Sequence, residues 1–146
     1  MAHCSFMGQS TIERVRQALE SEPQVLEAYV FGSVARGDVQ PHSDVDVAVF
    51  IAAGTAAPRY GHAAALTTLL MQALGRNDID VVVLNDAPPL LYHRVLRDGV
   101  RVVSRDLART TTREGAALSR YCDDLGRQRI VAEAAALRAS QGTFGR

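Results

Sequence analysis

Apolar positions along this chain recur in two rhythms, and the switches between them mark out the elements. Ile12, Val15 and Leu19 recur at helical spacing, so a helix capped by Ser10 or Thr11 is predicted to run to about residue 20. Pro23 stops it, and the near-continuous apolar run Val25–Phe31 predicts a first strand. Gly32-Ser33 breaks that run ahead of a short Val34-Ala35-Arg36 turn and a polar segment holding Gly37, Asp38, Pro41, His42 and Ser43. A second strand is predicted over residues 45–51, apolar enough to lie inside a sheet. After a small-residue loop at 52–57, Leu66, Leu69, Leu70 and Leu74 form the stripe of a helix expected over 58–74 and stopped by Gly75. A third strand over 79–84 carries Asp80. Pro88-Pro89 opens a helix through about residue 97 that Gly99 closes, and a short edge strand follows at 100–104. From residue 106 the chain reads as helical, with Leu118, Tyr121, Leu125, Ile130, Val131 and Leu137 as its apolar positions. Gly126 is expected to divide this region into two helices. The termini, 1–9 and 140–146, read as loose, with Met7 as an alternative start.

This order of elements predicts an α/β (α+β) fold, a small mixed sheet of about four strands flanked by helices. Residues 10–105 would form the main domain, 1–9 a flexible tail, and 106–146 a helical extension packed on the same domain.

The chemistry concentrates between Val30 and Phe50. Side chains alternate across a strand, so Asp44 and Asp46 point to one face while Val45, Val47 and Val49 point to the other. Adjacent carboxylates repel, and a packed core offers nothing to offset that cost. A hard divalent cation does, because Mg²⁺ takes oxygen ligands, commonly one or two carboxylates plus substrate phosphates. The Gly32-Ser33 break offers backbone N–H groups and a hydroxyl suited to phosphate. Together these residues read as a phosphoryl or nucleotidyl transfer site. Asp80 is the third acid: it shares the face of Asp44 and Asp46 if the third strand lies beside the second, and three carboxylates there suit a two-metal centre. A lone acid in a valine-rich strand is otherwise costly to bury. Asp78 is a rival at the same spacing, but after Asn77 it reads as a solvated turn residue.

Gly32-Ser33, a spacer of ten and then Asp44-x-Asp46 resembles the nucleotidyltransferase signature of the polymerase-beta superfamily. The wording Gly-Ser-Val-Ala-Arg-Gly and the short chain are similar to its smallest branch, the minimal nucleotidyltransferases (MNT) paired with HEPN-type toxins. The resemblance extends from about Val25 through Gly99 and more weakly beyond. It implies a polymerase-beta-like fold with C-terminal helices, Asp44 and Asp46 holding Mg²⁺ (two ions), and Asp80 as a further ligand or the base for the attacking hydroxyl. Gly32 and Ser33 would contact the β- and γ-phosphates of ATP. Arg36 is the candidate cation beside them, since a guanidinium forks onto phosphate oxygens. Ser43 would bond a phosphate or simply shape the turn. Asp38 and His42 read as loop residues, Asn85 and Asp86 as pocket lining or turn, and Tyr92 and His93 as packing and surface. Tyr121-Cys122-Asp123 is similar to a Tyr-x-Asp segment of the family's last helix, a partner-contact face or else core packing.

The implied activity is transfer of AMP from ATP to a tyrosine of a HEPN ribonuclease toxin in a hetero-oligomer, so that the chain acts as an antitoxin. Two other readings stay open. One is an antitoxin that neutralises by binding alone; the other is a stand-alone nucleotidyltransferase acting on a small molecule such as an aminoglycoside. Residues 106–146 leave little chain for an acceptor domain, which weighs against the latter.

Composition narrows the setting. Sixteen basic residues balance sixteen acidic ones, so wholesale electrostatic binding of nucleic acid is not expected. Cys4 and Cys122 fit no metal or redox spacing, no apolar run approaches the ~20 residues of a membrane span, and the first ten residues lack a signal pattern. A cytoplasmic protein with no membrane contact is expected.

Overall fold

The computed structural model describes residues 2–37 and 44–142, with side chains from Ser10 onward. Four strands form one mixed sheet in the order β3-β2-β1-β4. β1 (Val25–Phe31) runs antiparallel to both β2 (Val45–Ile51) and β4 (Val100–Ser104), while β2 and β3 (Ile79–Val83) are parallel. β4 lies at an edge, as its brevity suggests.

Alternation in the strands divides the core in two. Val45, Val47, Val49 and Ile51 of β2, with Ala28, Val30, Ile79 and Val81, face α1 (Ala2–Glu20) and α3 (His62–Leu74). Val15 and Leu19 of α1 and Leu66, Leu70 and Leu74 of α3 are buried there, the stripes expected from their spacing. The opposite face carries Tyr29, Ala48 and Leu84, covered by Tyr92 and Val95 of α4 (Pro89–Asp98) and Ala117 of α5 (Leu107–Ser140). Each fully buried Leu or Val contributes about 1.5–3 kcal/mol by leaving water, so both faces hold the sheet.

Three boundaries differ from the sequence reading. α1 reaches back to Ala2, where a loose tail was expected. No proline interrupts that stretch, and Ser10 and Thr11 are tolerated inside a helix when their hydroxyls find a carbonyl. α3 starts at His62 rather than residue 58: Gly61 has φ +89°, and its N–H closes a turn onto the Pro58 carbonyl at 2.9 Å. α5 is one helix of 34 residues that passes through Gly126. A single glycine costs only about 1 kcal/mol relative to alanine inside a helix, and the Ala, Leu, Arg and Gln around it offset that. Only its first turns pack on the domain. Thr110 and Ala117 are buried, whereas Leu125, Ile130, Val131 and Leu137 are exposed. Among the described residues, no helix is long and apolar enough to cross a membrane.

Candidate functional site

The candidate site forms where β1 ends. Gly32 (φ +75°, ψ −152°) turns the chain out of β1 into the single helical turn α2 (Ser33–Arg36), which Gly37 ends in the left-handed region at φ +78°. Val34 is buried and anchors that turn to the core. Gly32 has a second constraint, because a Cβ there would overlap the Asp46 carboxylate. The absent side chain therefore lets the metal-ligand candidate lie against the candidate phosphate turn.

Asp46 on β2 pairs in register with Asp80 on β3. In a parallel pair, residues in register project to the same face, so both carboxylates stand on the side that carries Ala48 and Tyr29. Asp44 precedes β2 at spacing two from Asp46, and its side chain is exposed, as is that of Asp80. The electrostatics agree with this grouping. Burial, then the Asp80 carboxylate, then Asp44 raise the Asp46 carboxyl above its ordinary range, and Arg36 pulls it back. Five predicted residues of the chemistry, Gly32, Arg36, Asp44, Asp46 and Asp80, thus converge on one end of the sheet. Ser33 opens α2 beside them. Ser43, along with Asp38 and His42, lies outside the described residues.

Other candidates fall elsewhere. Asp78 is held by Arg76, whose Nε donates to Oδ1 at 2.6 Å, and that hydrogen bond lowers the Asp78 pKa. Asn85 does not line a pocket at the acids. Its side chain accepts from the Ile51 N–H at 2.9 Å and donates to the Ile51 carbonyl at 2.8 Å, extending the β2–β3 pairing by one step. Tyr92 is buried, and His93 stacks on Tyr121 with ring centroids 3.8 Å apart, joining α4 to α5.

Among the described residues, no three acidic, His or Cys side chains close on a metal cage. Mg²⁺ needs no such cage, because it keeps several waters and shares its ligands between one or two carboxylates and a substrate's phosphates. Asp46 with Asp80 or Asp44 supplies such a set, and the mutual repulsion that perturbs Asp46 is what a bound cation would relieve.

A second polar cluster on the same sheet face was not anticipated. Glu27 is fully buried; Arg113 pairs with it (Nε to Oε1 2.6 Å), and the Thr110 hydroxyl donates to it at 3.1 Å. Arg113 also lies over the Phe50 ring at 4.9 Å. Nearby, the Tyr29 hydroxyl donates to Glu114 at 2.7 Å, and Arg101 reaches the same oxygen at 2.8 Å. Burial first, then the Glu114 hydrogen bond, push the Tyr29 phenol upward. The sequence signal was Glu27 itself, the one charge inside an apolar strand, but its partner is far along the chain. These contacts fasten α5 to β1 at the end of the face away from the acids.

No curated protein matches the sequence. A chain from a crystal structure of a toxin–antitoxin with AMP-PNP superposes with a TM-score of 0.67 at 23% identity, over 84% of this chain and 97% of that one. The tri-AMPylated Shewanella oneidensis HEPN toxin in complex with MNT antitoxin contains a chain matching at 0.64 and 22%, over 87% and 98%. The toxin–antitoxin MntA–HepT matches at 0.63 and 22%, over 86% and 97%. At these identities the likeness establishes the fold. The family model described as Polymerase beta, Nucleotidyltransferase matches residues 13–108, a span running from α1 to the start of α5 that takes in the whole sheet and all three acids. With most of its length and its full candidate site inside that match, this chain belongs to the polymerase beta nucleotidyltransferase family.

Proposed function

We propose that this chain is the antitoxin of a HEPN-type pair and transfers AMP from ATP to a tyrosine of its toxin. The observation that carries the reading is the in-register pair Asp46 and Asp80 beside the Gly32-Ser33 turn. A surface that only binds has no use for repelling carboxylates held at a phosphate-sized turn. The similar solved structures support the acceptor, since one holds a toxin–antitoxin with AMP-PNP and another a tri-AMPylated HEPN toxin with its MNT antitoxin.

In this reading the N–H groups and hydroxyl at Gly32-Ser33 hold the β- and γ-phosphates, and Arg36 adds a charge-assisted contact. Asp44 and Asp46 would hold Mg²⁺, which would neutralise charge on the triphosphate. The acceptor hydroxyl oxygen bonds to the α-phosphorus, the bond from that phosphorus to the β-bridging oxygen breaks, and pyrophosphate leaves. Asp80, exposed on the edge strand β3, takes the hydroxyl proton. In this reading a partner protein supplies the acceptor surface.

The test is mass spectrometry of the co-expressed HEPN partner. The partner should gain the mass of AMP with the wild-type chain and none with Asp44→Asn. Full neutralisation of the toxin in cells by Asp44→Asn would replace transfer by masking. AMP incorporation into an aminoglycoside without any partner protein would replace both.

A further inference from the structure

Only the first half of α5 has its inward face covered. There Thr110 and Ala117 are buried, Arg113 pairs with Glu27 and Tyr121 stacks on His93. At spacings of three and four the same face continues as Leu125, Gln128, Ala132 and Ala135, flanked by Asp124 and Val131. A shallow groove lined by Asp124, Arg127, Gln128, Val131, Ala132 and Ala135 lies along it, and Val131 is 64% exposed and Leu125 beside it 47%.

We propose that this face binds a second copy of the chain, α5 against α5, antiparallel about a two-fold axis beside Val131. The register follows from the residues. Setting Leu125 opposite the partner's Ala135 also sets Gln128 opposite the partner's Ala132. Each layer then matches a large side chain with a small one, as close packing needs. The same register brings Asp124, which also lies 3.4 Å from Arg127 on its own helix, to the partner's Arg138, and by symmetry the pair occurs twice. A parallel pairing would instead face Asp124 with Asp124 and Arg138 with Arg138. Val131 meets its own copy on the axis. Arg129 also approaches its copy there, and Glu133, 3.9 Å away on its own helix, offsets that charge. From Asp124 to Arg138 the helix spans ~21 Å, and antiparallel pairing puts the two domains at opposite ends. A contact of this length lies at the small end of stable interfaces, so the association is weak. The inference is independent of the catalytic reading.

Sedimentation equilibrium of the full chain, alone, at about 100 µM tests it, since that concentration fills an interface of micromolar Kd. Wild type should have the mass of a dimer, and Val131→Asp the mass of a monomer with unchanged helical circular dichroism. Asp124→Arg and Arg138→Asp should each weaken the dimer, and the two together should restore it. In a Cys122→Ser background, Val131→Cys should oxidise to a covalent dimer. A monomeric wild type would overturn the proposal, as would a Val131→Asp variant that stays dimeric or a double charge reversal that fails to restore. A monomeric wild type whose Val131→Asp variant loses the HEPN partner would give the face to the toxin instead.

Discussion

Gly32 and Asp46 occupy one space: the Asp46 carboxylate lies where a side chain on Gly32 would begin. The candidate phosphate turn and the metal-ligand candidate are thus built against each other. Gly32→Ala adds a steric conflict to a backbone at φ +75° that alanine rarely adopts. The expected result is a folded protein whose transfer rate falls about 100-fold, the cost of misplacing a reacting group by roughly an ångström. AMP incorporation measured beside the far-ultraviolet circular dichroism spectrum checks it.

Asp46 carries a stability cost. Its carboxyl is raised by burial and by the Asp80 and Asp44 charges, so the folded protein binds this proton more tightly than the unfolded chain does. Stability from this group is therefore lost as pH climbs from the ordinary carboxylate value through the raised one. Asp46→Asn should melt higher than wild type at pH 7 while losing transfer, and the difference should shrink towards pH 4. Thermal melts across that range measure it, and added Mg²⁺ should raise the melting temperature of wild type only.

Asp78 and Asp80 differ by two residues and by role. Asp80 stands in register with Asp46, whereas Asp78 is held by Arg76. Asp80→Asn should reduce transfer by 100-fold or more, on the scale of removing a proton acceptor, about 10²–10⁴. Asp78→Asn should leave the rate intact and cost less than about 1 kcal/mol, the worth of a part-exposed ion pair. Rates and urea midpoints for the two variants separate the roles.

The α5 attachment depends on a buried charge. Removing Arg113 leaves Glu27, which is fully buried, without its cation. Arg113→Ala should destabilise the fold by about 3–5 kcal/mol, and Glu27→Gln with Arg113→Met by less, because the second variant buries no orphaned charge. Urea unfolding of both decides it.

Much of this molecule is written locally. Val45, Val47 and Val49 alternate with Asp44 and Asp46, so strand, buried face and acid face all follow from the pleat. Leu66, Leu70 and Leu74 declare their helix in the same way, and the Gly32-Ser33 break shows in the run that precedes it. These signals need only neighbouring residues. The start of α3 was misplaced because Gly61 acts through a positive φ that the leucine stripe does not reveal. The break expected at Gly126 failed because one glycine is a small cost against the helix formers around it.

The sequence by itself determined the candidates for the chemistry: it set two acids on one strand face and put a glycine-serine turn ahead of them. Tertiary structure alone decided that β3 lies beside β2 with Asp80 level with Asp46, because strand order and register depend on which hydrophobic faces pack together. It alone joined Glu27 to Arg113, since a buried charge takes whatever cation the fold brings near. It also determined that α5 runs past the domain, where the apolar residues of a helix find no core to enter.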